Sequence, residues 1–115
     1  MRGKIKENVL AATGFGYFLN LVDSRFKLSV LYTLLEFESV RYNDILHFVE
    51  NVSSATLTNI LKQMEGDGLV ERTVLSSIPP HVEYSLTEKG LSLAPVLDRI
   101  AEWGEKEKIE SIKED

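Results

Sequence analysis

Cysteine is absent from this 115-residue chain, and proline, histidine and tryptophan are scarce, at three, two and one residues. The missing thiols exclude a disulfide framework, thiolate metal sites and thiol redox switching. The two histidines, His47 and His81, lie too far apart to give a metal-ligand spacing, so no metal is expected. No phosphate-binding glycine loop, nucleophile motif or supported carboxylate pair occurs either. Glu102, Glu105 and Glu107 fall in a charge-rich helical stretch and read as solvation. The expectation is therefore no enzyme, no catalytic residue and no cofactor. No apolar run approaches the roughly 18 residues of a membrane span. Arg2, Lys4 and Lys6 are not followed by a signal-peptide core with its cleavage site. A cytoplasmic location without a membrane partner is the expectation that follows.

What is present is ordinary for a soluble globular protein: 43% apolar and 27% charged residues. The length suits one core, and no repeat, low-complexity segment or linker divides it, so residues 1–115 read as a single domain. The net charge of −5 argues against a nucleic-acid partner, which usually calls for a basic surface. Its distribution softens the objection. From Asp98 onward four Lys or Arg face seven Asp or Glu, whereas residues 1–65 balance at seven against seven. A locally positive face away from the C-terminal end stays compatible with this, and binding there would be modest and strongly salt-dependent.

Along the chain, a first helix is expected from about Lys6 to Val22, interrupted by Gly14 and Gly16. Its apolar face includes Phe15, Phe18 and Leu19, more than a small core needs at a chain terminus. Asp23 and Ser24 are good caps for a second helix reaching Phe37, with Leu28, Leu31, Leu34 and Leu35 as its buried stripe. A brief extended segment at Ser39–Tyr42 follows. Asn43 then caps a short helix that buries Ile45, Leu46, Phe48 and Val49.

The next segment carries the most information. Asn51-Val52-Ser53 breaks the pattern, with Ser53 placed as a helix cap. Leu57, Ile60, Leu61 and Met64 recur at helical spacing, opposite Ser54, Ala55, Thr58, Asn59 and Lys62, and Gly66-Asp67-Gly68 ends the helix. A short helix, a tight turn and a helix with a small polar outer face make a helix-turn-helix over residues 43–66. Residues 69–86 read as a β-hairpin wing with a proline-stiffened tip at Ser76–His81. Thr87 caps the C-terminal helices of residues 87–115, which Pro95 kinks or restarts. Val96, Ile100 and Trp103 belong to a second apolar stripe that outruns the core. The fold class is mainly α with a small β-hairpin, a winged helix-turn-helix with extra N- and C-terminal helices.

Several stretches together resemble the HxlR-type transcription regulators. They are Gly68-Leu69-Val70-Glu71-Arg72, the run from Pro79-Pro80-His81 through Tyr84 to Thr87-Glu88-Lys89-Gly90, Pro95-Val96-Leu97 and Trp103-Gly104. Upstream, Leu57-Thr58, Arg41-Tyr42 and Arg25-Phe26 extend the likeness over residues 19–105. The resemblance implies a homodimer on an approximately palindromic double-stranded DNA operator, with recognition helices in successive major grooves and wings on the flanking backbone. It also implies dimerisation through the terminal helices, with Phe15, Phe18, Leu19, Val96, Ile100 and Trp103 as interface candidates. Three departures stand out. Thr13 falls where many members carry a cysteine, Ala55 where a basic residue is usual, and His81 where arginine is usual.

Position on the second helix of the motif makes Ser54, Thr58, Asn59 and Lys62 candidate DNA contacts rather than a merely solvated face. Asn59 can pair with adenine, Ser54 and Thr58 can reach base edges or phosphate, and Lys62 suits phosphate. Ser53 is a cap before it is a reader, though a helix N-terminus also attracts phosphate. Arg41 and Arg72 are read either as phosphate contacts or as structural and ion-pairing residues. His81 is read as a turn residue or a pH-sensitive minor-groove contact. Lys4 and Lys6 form a basic arm or a solvated terminus. A rival reading is a winged helix used for protein assembly within the transcription machinery, motivated by the acidic balance, Ala55 and His81. A further reading adds a small-molecule effector, unidentified, at the dimer interface.

Overall fold

The computed structural model describes Gly3 and residues 9–114. Lys4 and Lys6, and the expected start of the first helix, lie outside the described residues. A short 3-10 turn at Leu10–Ala12 precedes helix α1, Gly14–Leu21. The division falls at Thr13, whose side chain accepts from the Gly16 amide at 3.0 Å and caps α1. Gly16 is buried against the preceding turn, where a Cβ would collide with the Leu10 carbonyl oxygen. The interruption expected at Gly14 and Gly16 falls just before Gly14, where the Thr13 cap separates the turn from α1. On α1, Phe18 packs against the core, while Phe15 and Leu19 stay exposed.

Helix α2, Arg25–Phe37, is capped by Ser24, which accepts from the Lys27 amide at 3.2 Å. Asp23 is not the cap. Its carboxylate pairs with the buried ammonium of Lys27 at 2.8 Å. Strand β1, Ser39–Arg41, leads into α3, Tyr42–Phe48. Arg41 takes the N-cap position of α3 without a side-chain cap bond, so Asn43 is inside the helix rather than before it. Phe48 is half exposed, not buried, and stacks on Phe37 with ring centroids 4.9 Å apart. α3 spans only 7 residues, and its core-facing positions go to Ile45 and, just past its end, Val49.

Helix α4, Ser54–Gly66, inserts Leu57, Ile60, Leu61 and Met64 into the core. Its end is a Schellman motif: the Gly68 amide donates to Glu65 O at 3.0 Å and the Leu69 amide to Met64 O at 2.9 Å. Gly68 takes φ +75° there, a region that glycine enters without steric cost. Strands β2, Val70–Leu75, and β3, His81–Leu86, form the hairpin. β1 adds to the outer side of β3, pairing Val40 with Tyr84 and giving the order β1-β3-β2. The expected hairpin is therefore two strands of a three-stranded antiparallel sheet. Helix α5, Glu88–Leu91, and helix α6, Ala94–Glu114, complete the fold, with the restart placing Pro95 in the first turn of α6. The core runs between α2, α4 and the sheet, centred on Leu31, Leu34, Ile45, Leu57 and Met64.

Candidate nucleic-acid interface

Three elements converge on one surface groove of about 910 Å3: the start of α3, the outer face of α4 and the wing. The groove gathers five of the sequence candidates, Arg41, Thr58, Lys62, Arg72 and His81, which are spread over some forty positions of the chain. β1 delivers Arg41 at its end, α4 delivers Thr58 and Lys62 one turn apart, and β2 delivers Arg72. Arg72 lies opposite Tyr84 and Arg41 opposite Glu83, so the two leave alternate faces of the sheet, and Arg41 lines the groove from the end of β1, where the chain turns into α3. None of the ion pairs among the described residues involves Arg41, Lys62 or Arg72. The ion-pair alternative for Arg41 has no partner there.

The candidates left outside the groove are Ser53, Ser54, Ala55 and Asn59, all exposed on or before the first turns of α4. Ser53 performs the cap: its Oγ accepts from the Thr56 amide at 3.1 Å and donates to Thr56 Oγ1 at 2.9 Å. Ser54 contributes its carbonyl, which accepts from the Tyr42 hydroxyl at 3.0 Å. Tyr42 also lies 3.0 Å from Thr58 Oγ1, so one phenol ties α3 to α4 inside the groove. Tyr42, expected to close the extended segment Ser39–Tyr42, instead opens α3. Nothing local relates it to a threonine sixteen residues on.

His81 does not sit at the wing tip. It opens β3 opposite Leu75, with Nδ1 2.8 Å from Ser77 Oγ and Nε2 3.7 Å from the Glu83 carboxylate. Ser77 in turn donates to Pro79 O at 2.8 Å, so His81 and Ser77 brace the tip from below. The tip itself is Ser76–Pro80, with Ile78 fully exposed.

Two acidic residues, Asp44 and Glu65, also line the groove and were not anticipated. They offset two of the three fixed cations, leaving a weak positive excess. A charge balance this small gives at most a weak, salt-screened attraction for a polyanion.

The turn after α4 is clamped from the far side. Thr87 Oγ1 donates to Gly68 O, the Thr87 amide to Leu69 O at 3.1 Å, and Lys89 Nζ to Asp67 O at 3.2 Å. Lys89 also lies 3.5 Å from the Tyr17 hydroxyl, linking α1 to the same point. Gly90 packs so closely on the Leu69 carbonyl that a Cβ there would strike it. The Thr-Glu-Lys-Gly run thereby fixes where α4 ends and the wing begins.

Comparisons with known proteins agree with this geometry. The family model described as HxlR-like helix-turn-helix matches residues 21–111. A protein of Halalkalibacterium halodurans, described as an uncharacterized HTH-type transcriptional regulator, is 38% identical over 105 residues, covering 91% of each chain. Among solved structures, the redox regulator HypR in its reduced form superposes with a TM-score of 0.76 at 32% identity, over 86% of this chain and 99% of that one. A MarR-family transcriptional regulator of Porphyromonas gingivalis gives 0.73 at 26% identity, over 79% and 88%. The redox role of HypR stays with that protein, because a chain without cysteine has no thiol to oxidise. Fold, groove and sequence likeness over most of the length lead to one assignment: the chain belongs to the HxlR-like helix-turn-helix family.

Proposed function

We propose that this chain is a transcriptional regulator that binds double-stranded DNA as a homodimer in the cytoplasm, and that it carries no catalytic activity. The observation that carries the reading is the groove, where Arg41 and Arg72 share one surface with Thr58 and Lys62 of α4. α4 enters the major groove with Ser54, Thr58 and Asn59 towards the bases and Lys62 towards phosphate, with the α4 N-terminus at Ser53 beside the backbone. Ala55, at the centre of that face, makes only an apolar contact. The braced hairpin, with Arg72 at its base and His81 beneath its tip, follows the flanking backbone. Phe15 and Leu19 on α1 and Val96, Ile100 and Trp103 on α6, all exposed, form the subunit interface, with Phe18 supporting it from the core side. A two-fold dimer reads an approximately palindromic site with half-sites about one duplex turn apart. A small-molecule effector has a candidate place in the open groove of about 640 Å3 between α2 and α6, beside Leu28, Tyr32 and Ile100.

A salt titration with random-sequence and selected duplexes tests this directly. Affinity should fall steeply with salt, and Lys62→Ala should weaken all sequences and lower the salt slope by about 1. Asn59→Ala should relax base preference instead. Binding that ignores ionic strength, or parent-like behaviour of both variants, sinks the assignment of this face and favours the protein-assembly reading.

A further inference from the structure

The Tyr42 hydroxyl stands 3.0 Å from the Ser54 carbonyl oxygen and 3.0 Å from Thr58 Oγ1. A phenol has one proton, and a carbonyl oxygen only accepts. Two oxygens at that separation with no proton between them repel. Both contacts are satisfied by one assignment: Tyr42 donates to Ser54 O, and Thr58 donates its own hydroxyl proton to Tyr42 Oη. Thr58 is then left with lone pairs alone on the exposed side of α4.

We infer that Tyr42 converts Thr58 into a pure hydrogen-bond acceptor, so that Thr58 recognises an exocyclic amino group, cytosine N4 or adenine N6, on a major-groove base edge. The inference rests on the DNA-binding reading and sharpens it. Phosphate oxygens, purine N7, guanine O6 and thymine O4 all require a donor, which Thr58 no longer has. Every base pair shows one amino group in the major groove, on its adenine or its cytosine, so the group changes sides when A·T becomes T·A or C·G becomes G·C. An acceptor held at a fixed point on the helix therefore distinguishes pair orientation, which a freely rotating hydroxyl would not do. Tyr42 is a positioning residue here: it sets the polarity of Thr58 without itself touching a base.

The experiment uses the full chain and a duplex selected by the parent protein from a random pool. Single base analogues remove one group at a time: nebularine or 2-pyrimidinone deletes an amino group, 7-deazapurines delete N7, and methylphosphonates neutralise a phosphate. Each is crossed with Thr58→Val in a double-mutant cycle. In the parent, one amino deletion should cost about fivefold in affinity, the worth of a single hydrogen bond, and the same deletion should cost nothing in Thr58→Val. No N7 or phosphate change should couple to Thr58. In Tyr42→Phe the Thr58 proton is released, and coupling to an N7, carbonyl or phosphate acceptor should appear. Thr58 coupling to N7 or phosphate in the parent, or to no group at all, overturns the inference while leaving duplex binding intact. A parent that binds no duplex removes the DNA-binding reading itself, a different result. Should Tyr42→Phe fail to fold, the cycles on the parent alone decide.

Discussion

Glu38 takes φ 58° and ψ −60° in the one-residue turn between α2 and β1, a conformation that costs a non-glycine residue on the order of 1–3 kcal/mol. Glycine enters that region freely but loses more chain entropy on folding, which offsets part of the gain. Glu38→Gly should therefore raise stability by about 1 kcal/mol in urea unfolding; an unchanged or lower midpoint would show that the turn is not strained. The Asp23–Lys27 pair sets a second residue-scale expectation. The hydrogen bond from Lys27, and then its charge, hold the Asp23 carboxyl below its ordinary value near 3.8. A lowered folded-state value means that this stabilisation is complete above the ordinary carboxylate range. It disappears as pH falls through the lowered value. Asp23→Asn should reduce thermal stability at neutral pH, because it leaves the buried Lys27 ammonium without its counter-charge, and should flatten the acid limb of the stability curve. An acid limb identical to the parent's would remove Asp23 from the account. Neither feature is legible in the sequence. Glu38 looks like any loop glutamate, and Asp23 beside Ser24 looks like a second cap.

At the scale of elements, α2, α4 and the hairpin were legible because each carries its own period and its own stop signals. Ser24, Ser53 and Thr87 cap where their residue types suggest, and Gly68 closes α4. What escaped was the joining of elements. The α5 clamp depends on Gly90 lying against the Leu69 carbonyl and on Thr87 and Lys89 holding residues 67–69 from eighteen or more positions away. Gly90→Ala should cost roughly 2–3 kcal/mol, since the added methyl meets backbone rather than a side chain that can swing aside. It should also perturb the amide signals of Gly68 and Leu69 more than those of α6. Equal stability in parent and variant would mean that α5 can shift away at little cost.

Across the whole molecule, the apolar surface is unevenly covered. Phe15, Val96, Ile100 and Trp103 are between 48% and 67% exposed, whereas the centre of the fold is sealed. A radius of gyration of 16.8 Å exceeds the about 13 Å expected for a compact chain of this length, as α6 extends over 21 residues. Such faces on a small protein call for a partner. In the proposed dimer, Trp103→Asp combined with Ile100→Asp should give a monomer by sedimentation and abolish the dependence of the melting midpoint on protein concentration. Affinity for a two-half-site duplex should fall by roughly a hundredfold or more, since linked binding of the second half-site is lost. A variant that stays dimeric would place the interface elsewhere.

Hydrophobic period, caps and breakers are properties of neighbouring residues, and they determined the order of elements, the start of the helix after Ser53 and the family likeness. Composition alone removed thiol chemistry and metal-site spacing. Only the tertiary structure decided that β1 pairs with β3, that Phe18 serves the core while Phe48 stays outside, and that His81 braces the wing rather than tipping it. Only the folded chain sets Asp44 and Glu65 among the groove's cations and brings Tyr42 against Thr58. The reason is physical. Capping and amphipathicity act within a few residues, whereas hydrogen-bond polarity and local charge in a site depend on side chains that meet only after strands pair and helices dock.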